Sequence, residues 1–173
     1  MQKLVVLIII FLASCTTPGP QTCQEADWYE LGRQDGAKGL AMEENFHKRV
    51  KMCPKTSQQE ILTLYINGRN AGLVEYCQPE NGYELGKQGS PLKEVCPTDG
   101  TKNDFKEFYR KGERVRKLKE ANQDLNRRIS TLFEQVNRVA PPQREGLDKE
   151  LLQLRRIRAS NNREVSQIES SIE

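Results

Sequence analysis

From residue 104 onward, apolar positions recur at alternating three- and four-residue intervals, with charged or amide residues filling most of the gaps. Phe108, Val115, Leu118, Asn122, Leu125, Ile129, Leu132, Val136 and Val139 fall on one such seam, which predicts a long helix with a single buried stripe. Ala140-Pro141-Pro142 ends it, because proline cannot continue the backbone bonding and disfavours helix in the residue before it. A second seam follows at Leu147, Leu151, Leu154, Arg158, Asn161, Val165, Ile168 and Ile172. The short connection predicts an antiparallel helical hairpin, a coiled coil with Val136 near Leu151, Leu132 near Leu154 and Leu118 near Ile168. Asn122, Asn161 and Arg158 interrupt the two seams in adjacent layers, where hydrogen-bonded polar groups fix register at some cost in stability. Pairing of the same seam with a second molecule is the rival expectation.

From Cys23 to Gly112 the chain follows a different pattern. Four of the five tyrosines open a tetrad ending in glycine: Tyr29-Glu30-Leu31-Gly32, Tyr65-Ile66-Asn67-Gly68, Tyr83-Glu84-Leu85-Gly86 and Tyr109-Arg110-Lys111-Gly112. Gly36 and Gly39 follow the first, Gly72 the second and Gly89 the third, at intervals that put each group on one helix face. Glycine in a helix interior costs roughly 0.5–1 kcal/mol relative to alanine, so such a face implies close approach of a neighbour. The expectation is short helices over residues 27–42, 57–76 and 81–89, packed through glycine and aromatic faces. Turns at Asn81-Gly82 and Gly89-Ser90-Pro91 are the rival for the third segment.

At the other end, Met1-Gln2-Lys3 is followed by the apolar run Leu4 to Ala13 and then Ser14-Cys15. A spanning helix needs about 20 apolar residues, so this run predicts a secretory signal over residues 1–14. Leu12-Ala13-Ser14-Cys15 resembles the bacterial lipoprotein processing signal, which makes Cys15 the expected lipid attachment site and attaches the chain to a membrane. Residues 15–22, rich in Pro and Gly, read as a lipidated tether. The expected order is therefore signal peptide 1–14, tether 15–22, a cysteine-containing helical domain 23–103 and the hairpin 104–173, an all-α chain throughout.

With Cys15 committed to lipid, Cys23, Cys53, Cys77 and Cys96 remain, an even number in a disulfide-permissive compartment. Two bridges are expected, with three connectivities open. Zinc is disfavoured because no Cys-x-x-Cys pair exists and the separations are long. Residues 1–100 carry 10 basic and 12 acidic side chains, whereas 101–173 carry 17 basic and 12 acidic. That excess suits anionic headgroups or anionic wall polymers, although a solvated helical surface is the blander reading; nucleic acid is not an expected partner of an exported chain.

Candidate chemistry is sparse. His47 is the only histidine, among Glu43, Glu44, Lys48 and Arg49, and reads as solvated rather than as a general base. Gly86-Lys87-Gln88-Gly89 lacks the spacing and context of a phosphate loop. Asp27, Glu30 and Asp35 lie close in sequence, but Asp27 before Trp28 reads as a helix N-cap, and Asp35 is expected to pair with Arg69. Trp28 and Tyr29 read as core rather than as a glycan-stacking platform. No catalytic residues, metal or cofactor are expected.

Asp27-Trp28, Gly32, Asp35-Gly36, Gly39, Cys53, Tyr65, Gly68-Arg69, Gly72-Leu73, Tyr76-Cys77, Gly82, Gly86, Gly89, Cys96-Pro97, Phe105 and Tyr109-Arg110-Lys111-Gly112 together resemble the bacterial lipoprotein family known as domain of unknown function 2799. Pro91 departs from that pattern, which often has an aromatic nearby. The resemblance implies a membrane-anchored Gram-negative periplasmic domain and brings no activity or catalytic residues. In lipoproteins of this kind aspartate after the acylated cysteine retains the protein at the inner membrane; Thr16 stands there instead, so the periplasmic face of the outer membrane is expected, with the inner membrane as the alternative. The expected role is a non-enzymatic structural or interaction module of the cell envelope, its hairpin engaging an envelope protein or peptidoglycan. A peptidoglycan-binding module is the alternative, and a wall hydrolase on the Asp27/Asp35 region a further one.

Overall fold

The computed structural model describes residues 23, 25–51, 53, 58–97 and 100–172. The signal, Cys15 and the tether lie outside the described residues. Six helices follow one another: α1 Trp28–Ala37, α2 Met42–Val50, α3 Gln58–Tyr76, α4 Pro79–Gln88, α5 Gly100–Arg138 and α6 Pro141–Ser170. There is no strand among the described residues.

The tyrosine–glycine tetrads pair off. Each puts its glycine against the tyrosine carbonyl of its partner: Gly32 faces the Tyr65 carbonyl and Gly68 that of Tyr29, and in the same way Gly86 faces Tyr109 and Gly112 faces Tyr83. Because Gly36 in turn meets the Arg69 carbonyl, contacts climb both helices together, so α1 and α3 cross as parallel helices with their tetrads in register. Gly82 against Phe105 extends the α4–α5 crossing likewise. A Cβ at Gly68 would collide with the backbone of Tyr29, which cannot swing away as a side chain can. Backbones at this separation are held by dispersion and weak Cα–H···O contacts, and these stand in for the helix propensity that glycine forgoes. The expected aromatic cover is found at Gly39, whose missing side chain leaves room for the Tyr76 ring, and in part at Gly82, where the Phe105 ring adjoins the Phe105 carbonyl; at the tetrads the partner is a carbonyl.

Gly68→Ala is therefore expected to destabilise the protein by about 1–3 kcal/mol through overpacking. Gly146→Ala, in α6 with nothing within 4 Å of the added carbon, is expected to stabilise by up to about 1 kcal/mol through propensity alone. Urea unfolding of the two variants beside the parent checks the contrast in sign.

Helix ends have local causes. Asp27 caps α1, its Oδ1 accepting the Glu30 amide at 2.9 Å. Gly39 at φ +58° closes that helix, with its amide on the Gly36 carbonyl and the Leu40 amide on that of Asp35. The single helix expected over residues 27–42 is thus cut short, and α2 starts afresh after extended Ala41. Pro79 opens α4 and left-handed Gly89 ends it, so Asn81-Gly82 is helical while Gly89-Ser90 is a turn.

Both disulfides join sequential cysteines, Cys23 to Cys53 and Cys77 to Cys96, which settles the three open connectivities. Each lies in a hydrophobic cluster at one end of α3. Trp28, Phe46, Val50, Ile61 and Tyr65 surround the first, and Leu73, Tyr76 and Phe105 the second. Beyond them, α6 packs along α5. Tyr83, Val115, Leu118 and Val165 form one cluster and Leu125, Ile129, Leu132, Leu151 and Leu154 the next. Arg114 pairs with Glu164 and Arg128 with Glu150, so contact positions rise on one helix as they fall on the other.

Candidate functional site

The densest polar chemistry lies where α1, α2 and α3 meet. Asp35 is 1% exposed. Its Oδ1 accepts from Arg49 Nη2 at 2.6 Å, and its Oδ2 accepts both Arg49 Nε at 2.9 Å and the Tyr65 hydroxyl at 2.6 Å. A carboxylate met by a two-pronged guanidinium is the strong form of ion pair. Burial alone would push the Asp35 carboxyl up; the hydrogen bonds from Arg49 and Tyr65, with the charge of Arg49, outweigh it and hold the group below the ordinary carboxylate range. The hydrogen bond to Asp35 raises Arg49, while burial and then the same carboxylate push the Tyr65 phenol well up.

The pairing expected of Asp35 with Arg69 is not what forms. Arg69 Nη2 donates instead to the Leu40 carbonyl at 3.1 Å, and burial lowers this arginine. Arg49, fourteen residues from Asp35, takes the place across the α1–α2 turn, because left-handed Gly39 ends α1 and lets the chain turn into α2. Chemically the cluster is a clasp. Both carboxylate oxygens are engaged and closed to solvent, so the arrangement fixes α2 on α1 and α3.

The remaining candidates do not converge on it. Asp27 is occupied as a cap, and Glu30 sits on the surface with its oxygens on Arg33 and Gln34, hydrogen bonds that bring its carboxyl down to about 2. Arg33 also reaches Glu75 of α3 at 3.0 Å. His47 lies on the exposed side of α2, its Nδ1 2.7 Å from the Glu43 carbonyl oxygen. Trp28 is buried with its indole N–H on the Cys23 carbonyl at 2.8 Å, whereas Tyr29 is substantially exposed. Among the described residues no group of three or more His, Cys, Asp or Glu gathers to hold a metal ion.

A cleft of about 190 Å³ lies beside the second disulfide, lined by Leu73, Val74, Cys77, Pro79, Pro97 and Asp104 among others. In the α5–α6 pair, Asn122 is buried and bonded twice, donating to Asn162 at 2.7 Å and accepting from Asn161 at 2.9 Å, while Arg158 donates to Asn126. The amide layer anticipated from the seams is present, with Asn162 and Asn126 as members the heptad reading missed. Among the described residues no helix is long and apolar enough to cross a membrane.

Residues 27–114 match the model of the family described as protein of unknown function DUF2799. The chain belongs to this family. The matched stretch runs from the Asp27 cap to just past Gly112, and so contains both tetrad crossings, the Asp35 clasp and three of the four disulfide cysteines. Comparison with curated proteins and with solved structures gives no significant match to either.

Proposed function

We propose that this protein is a lipid-anchored structural or interaction module of the bacterial envelope, without catalytic activity of its own, held through Cys15 at the periplasmic face of the outer membrane. The observation that carries the reading is Leu12-Ala13-Ser14-Cys15 at the exit of an apolar run. Two disulfides in the head support it, because such bonds persist where the surroundings are oxidising. One acyl chain gives marginal membrane binding, and two or more hold a protein stably, so the several chains expected on Cys15 suffice as an anchor.

In this reading α5 and α6 form an antiparallel coiled-coil hairpin that carries the contact with an envelope protein or the wall. At ~1.5 Å per residue, α5 is roughly 58 Å long, long enough to bring its far end well away from the head. A second reading, a peptidoglycan-binding module, is favoured by the basic excess of residues 101–173.

Fractionation of cells expressing the parent and Cys15→Ala tests the anchor. The parent is expected in the outer-membrane fraction, and the variant outside it. An unchanged distribution overturns the reading, and crosslinking of the anchored parent in intact cells identifies what the hairpin touches.

A further inference from the structure

Arginines on this hairpin differ in their partners: exposed Arg110 of α5 has none among the described residues, and Arg144 and Arg158 of α6 donate to neutral oxygens. On α5, Arg114, Arg116, Arg127, Arg128 and Arg138 each have an acidic partner. On α6, Arg155, Arg156 and Arg163 are exposed and engage in neither a hydrogen bond nor an ion pair with the described residues. Their spacing places them with Ala159 on one stripe, turned away from buried Leu151, Leu154 and Val165. From 151 to 163 the chain contains no acidic residue, so the stripe carries three uncompensated charges over about 12 Å of helix.

We infer that this outer stripe of α6 is a docking surface for the carboxylates of peptidoglycan, an inference that rests on the envelope reading above and names the residues for its wall-binding form. Planar guanidinium groups match carboxylates in two-pronged fashion, and the three are mounted on a helix whose other face is fixed against α5. A flat anionic membrane fits the surface less well. Glu145 and Asp148 precede the stripe and neutral Ser166, Gln167 and Ser170 follow it, while Leu152 is its one large exposed apolar side chain, far from the apolar face that interfacial helices bury. A protein partner would call for an apolar centre. Beside Arg163 lie the exposed side chains of Asn162, Ser166 and Gln167, whose amides and hydroxyl suit a glycan–peptide polymer.

The test is pelleting of the full chain, purified in non-ionic detergent, with sacculi across a range of ionic strengths, in parallel with vesicles rich in anionic phospholipid. Three variants are compared: the parent, the stripe triple Arg155→Gln/Arg156→Gln/Arg163→Gln, and a control triple Arg127→Gln/Arg138→Gln/Lys149→Gln that removes the same charge from exposed side chains paired within their own helices. The parent is expected to pellet with sacculi and to be released by salt. The stripe triple is expected to lose roughly tenfold or more in affinity and the control little, with helical melting unchanged in both. Equal losses in the two triples, failure of the parent to pellet at any ionic strength, or stripe-dependent binding to vesicles but not to sacculi would each overturn the assignment. Fatty-acid labelling of the same chain reads the anchor independently. Labelled protein that ignores sacculi removes only the docking surface, and unlabelled protein that pellets removes only the anchor.

Discussion

Replacing Cys23, Cys53, Cys77 and Cys96 together by alanine is expected to remove about 7 kcal/mol from the head, because loops of separation 30 and 19 contribute about 3–4 kcal/mol each by chain entropy. Set against a typical net stability of about 5–15 kcal/mol, that loss leaves the glycine-crossed helices marginal or unfolded at 37 °C. The reason lies in their packing. Helices that meet backbone to backbone bury little side-chain area at the crossing, and the apolar clusters that compensate sit at the ends of α3, each containing a bridge. Trp28, the single tryptophan, is packed in the first cluster, so its fluorescence in urea reports directly on Cys23–Cys53. Losses from the two single-bridge variants should add, since the bridges lie at opposite ends of α3. Coincident unfolding curves for parent and variant, with or without reductant, would contradict this account.

Asp35→Ala is expected to cost about 3 kcal/mol. Removing one member of a buried pair costs about 3–5 kcal/mol, and the low end applies because the Arg49 side chain is 35% exposed, so water recovers part of its solvation. Tyr65→Phe, which deletes one charge-assisted hydrogen bond while keeping the ring, should cost about 1.5–3 kcal/mol. Acid sensitivity gives a separate signature. The carboxyl of Asp35 lies below its unfolded value in the folded protein. Its contribution is therefore present above the unfolded value of about 3.9 and is lost as pH falls through the folded one. Urea midpoints measured from pH 7 down to about pH 2 should show the parent losing stability below about pH 4 more steeply than Asp35→Asn. Parallel acid limbs would show that the clasp does not carry the ion pair described.

Much of the fold was legible because it follows from spacing. The seams on α5 and α6 place Val115, Leu118, Leu125, Ile129, Leu132, Leu151, Leu154 and Val165 in the buried set, since a heptad pattern constrains every position along a long helix. The tetrads likewise announced helices in close contact. What they concealed was the partner, because a glycine makes room equally for a ring or a carbonyl, and only the three-dimensional register of α1 on α3 decides between them.

The missed element is α2. Its interrupting Glu43, Glu44, Lys48 and Arg49 look like solvated loop, although Met42, Phe46 and Val50 recur every four residues and two of the three are buried. That periodicity was the available signal. Without α2, Arg49 had no reason to be placed beside Asp35, and Arg69, one turn beyond Tyr65 on the facing helix, was the nearest arginine by reasoning from α1 and α3 alone. The unpaired stripe of α6 was equally hidden. Composition shows an excess of arginine in the C-terminal part, but which arginines are neutralised depends on pairs such as Arg114–Glu164, fifty residues apart.

The proposed attachment through Cys15 underlies the envelope role put forward for this chain, and tritiated palmitate labelling of cells expressing the parent and Cys15→Ala examines it most directly. A labelled parent whose mature form begins at Cys15 is expected, together with an unlabelled variant that is not cleaved at that site. An unlabelled parent, or equal label on both proteins, would contradict it.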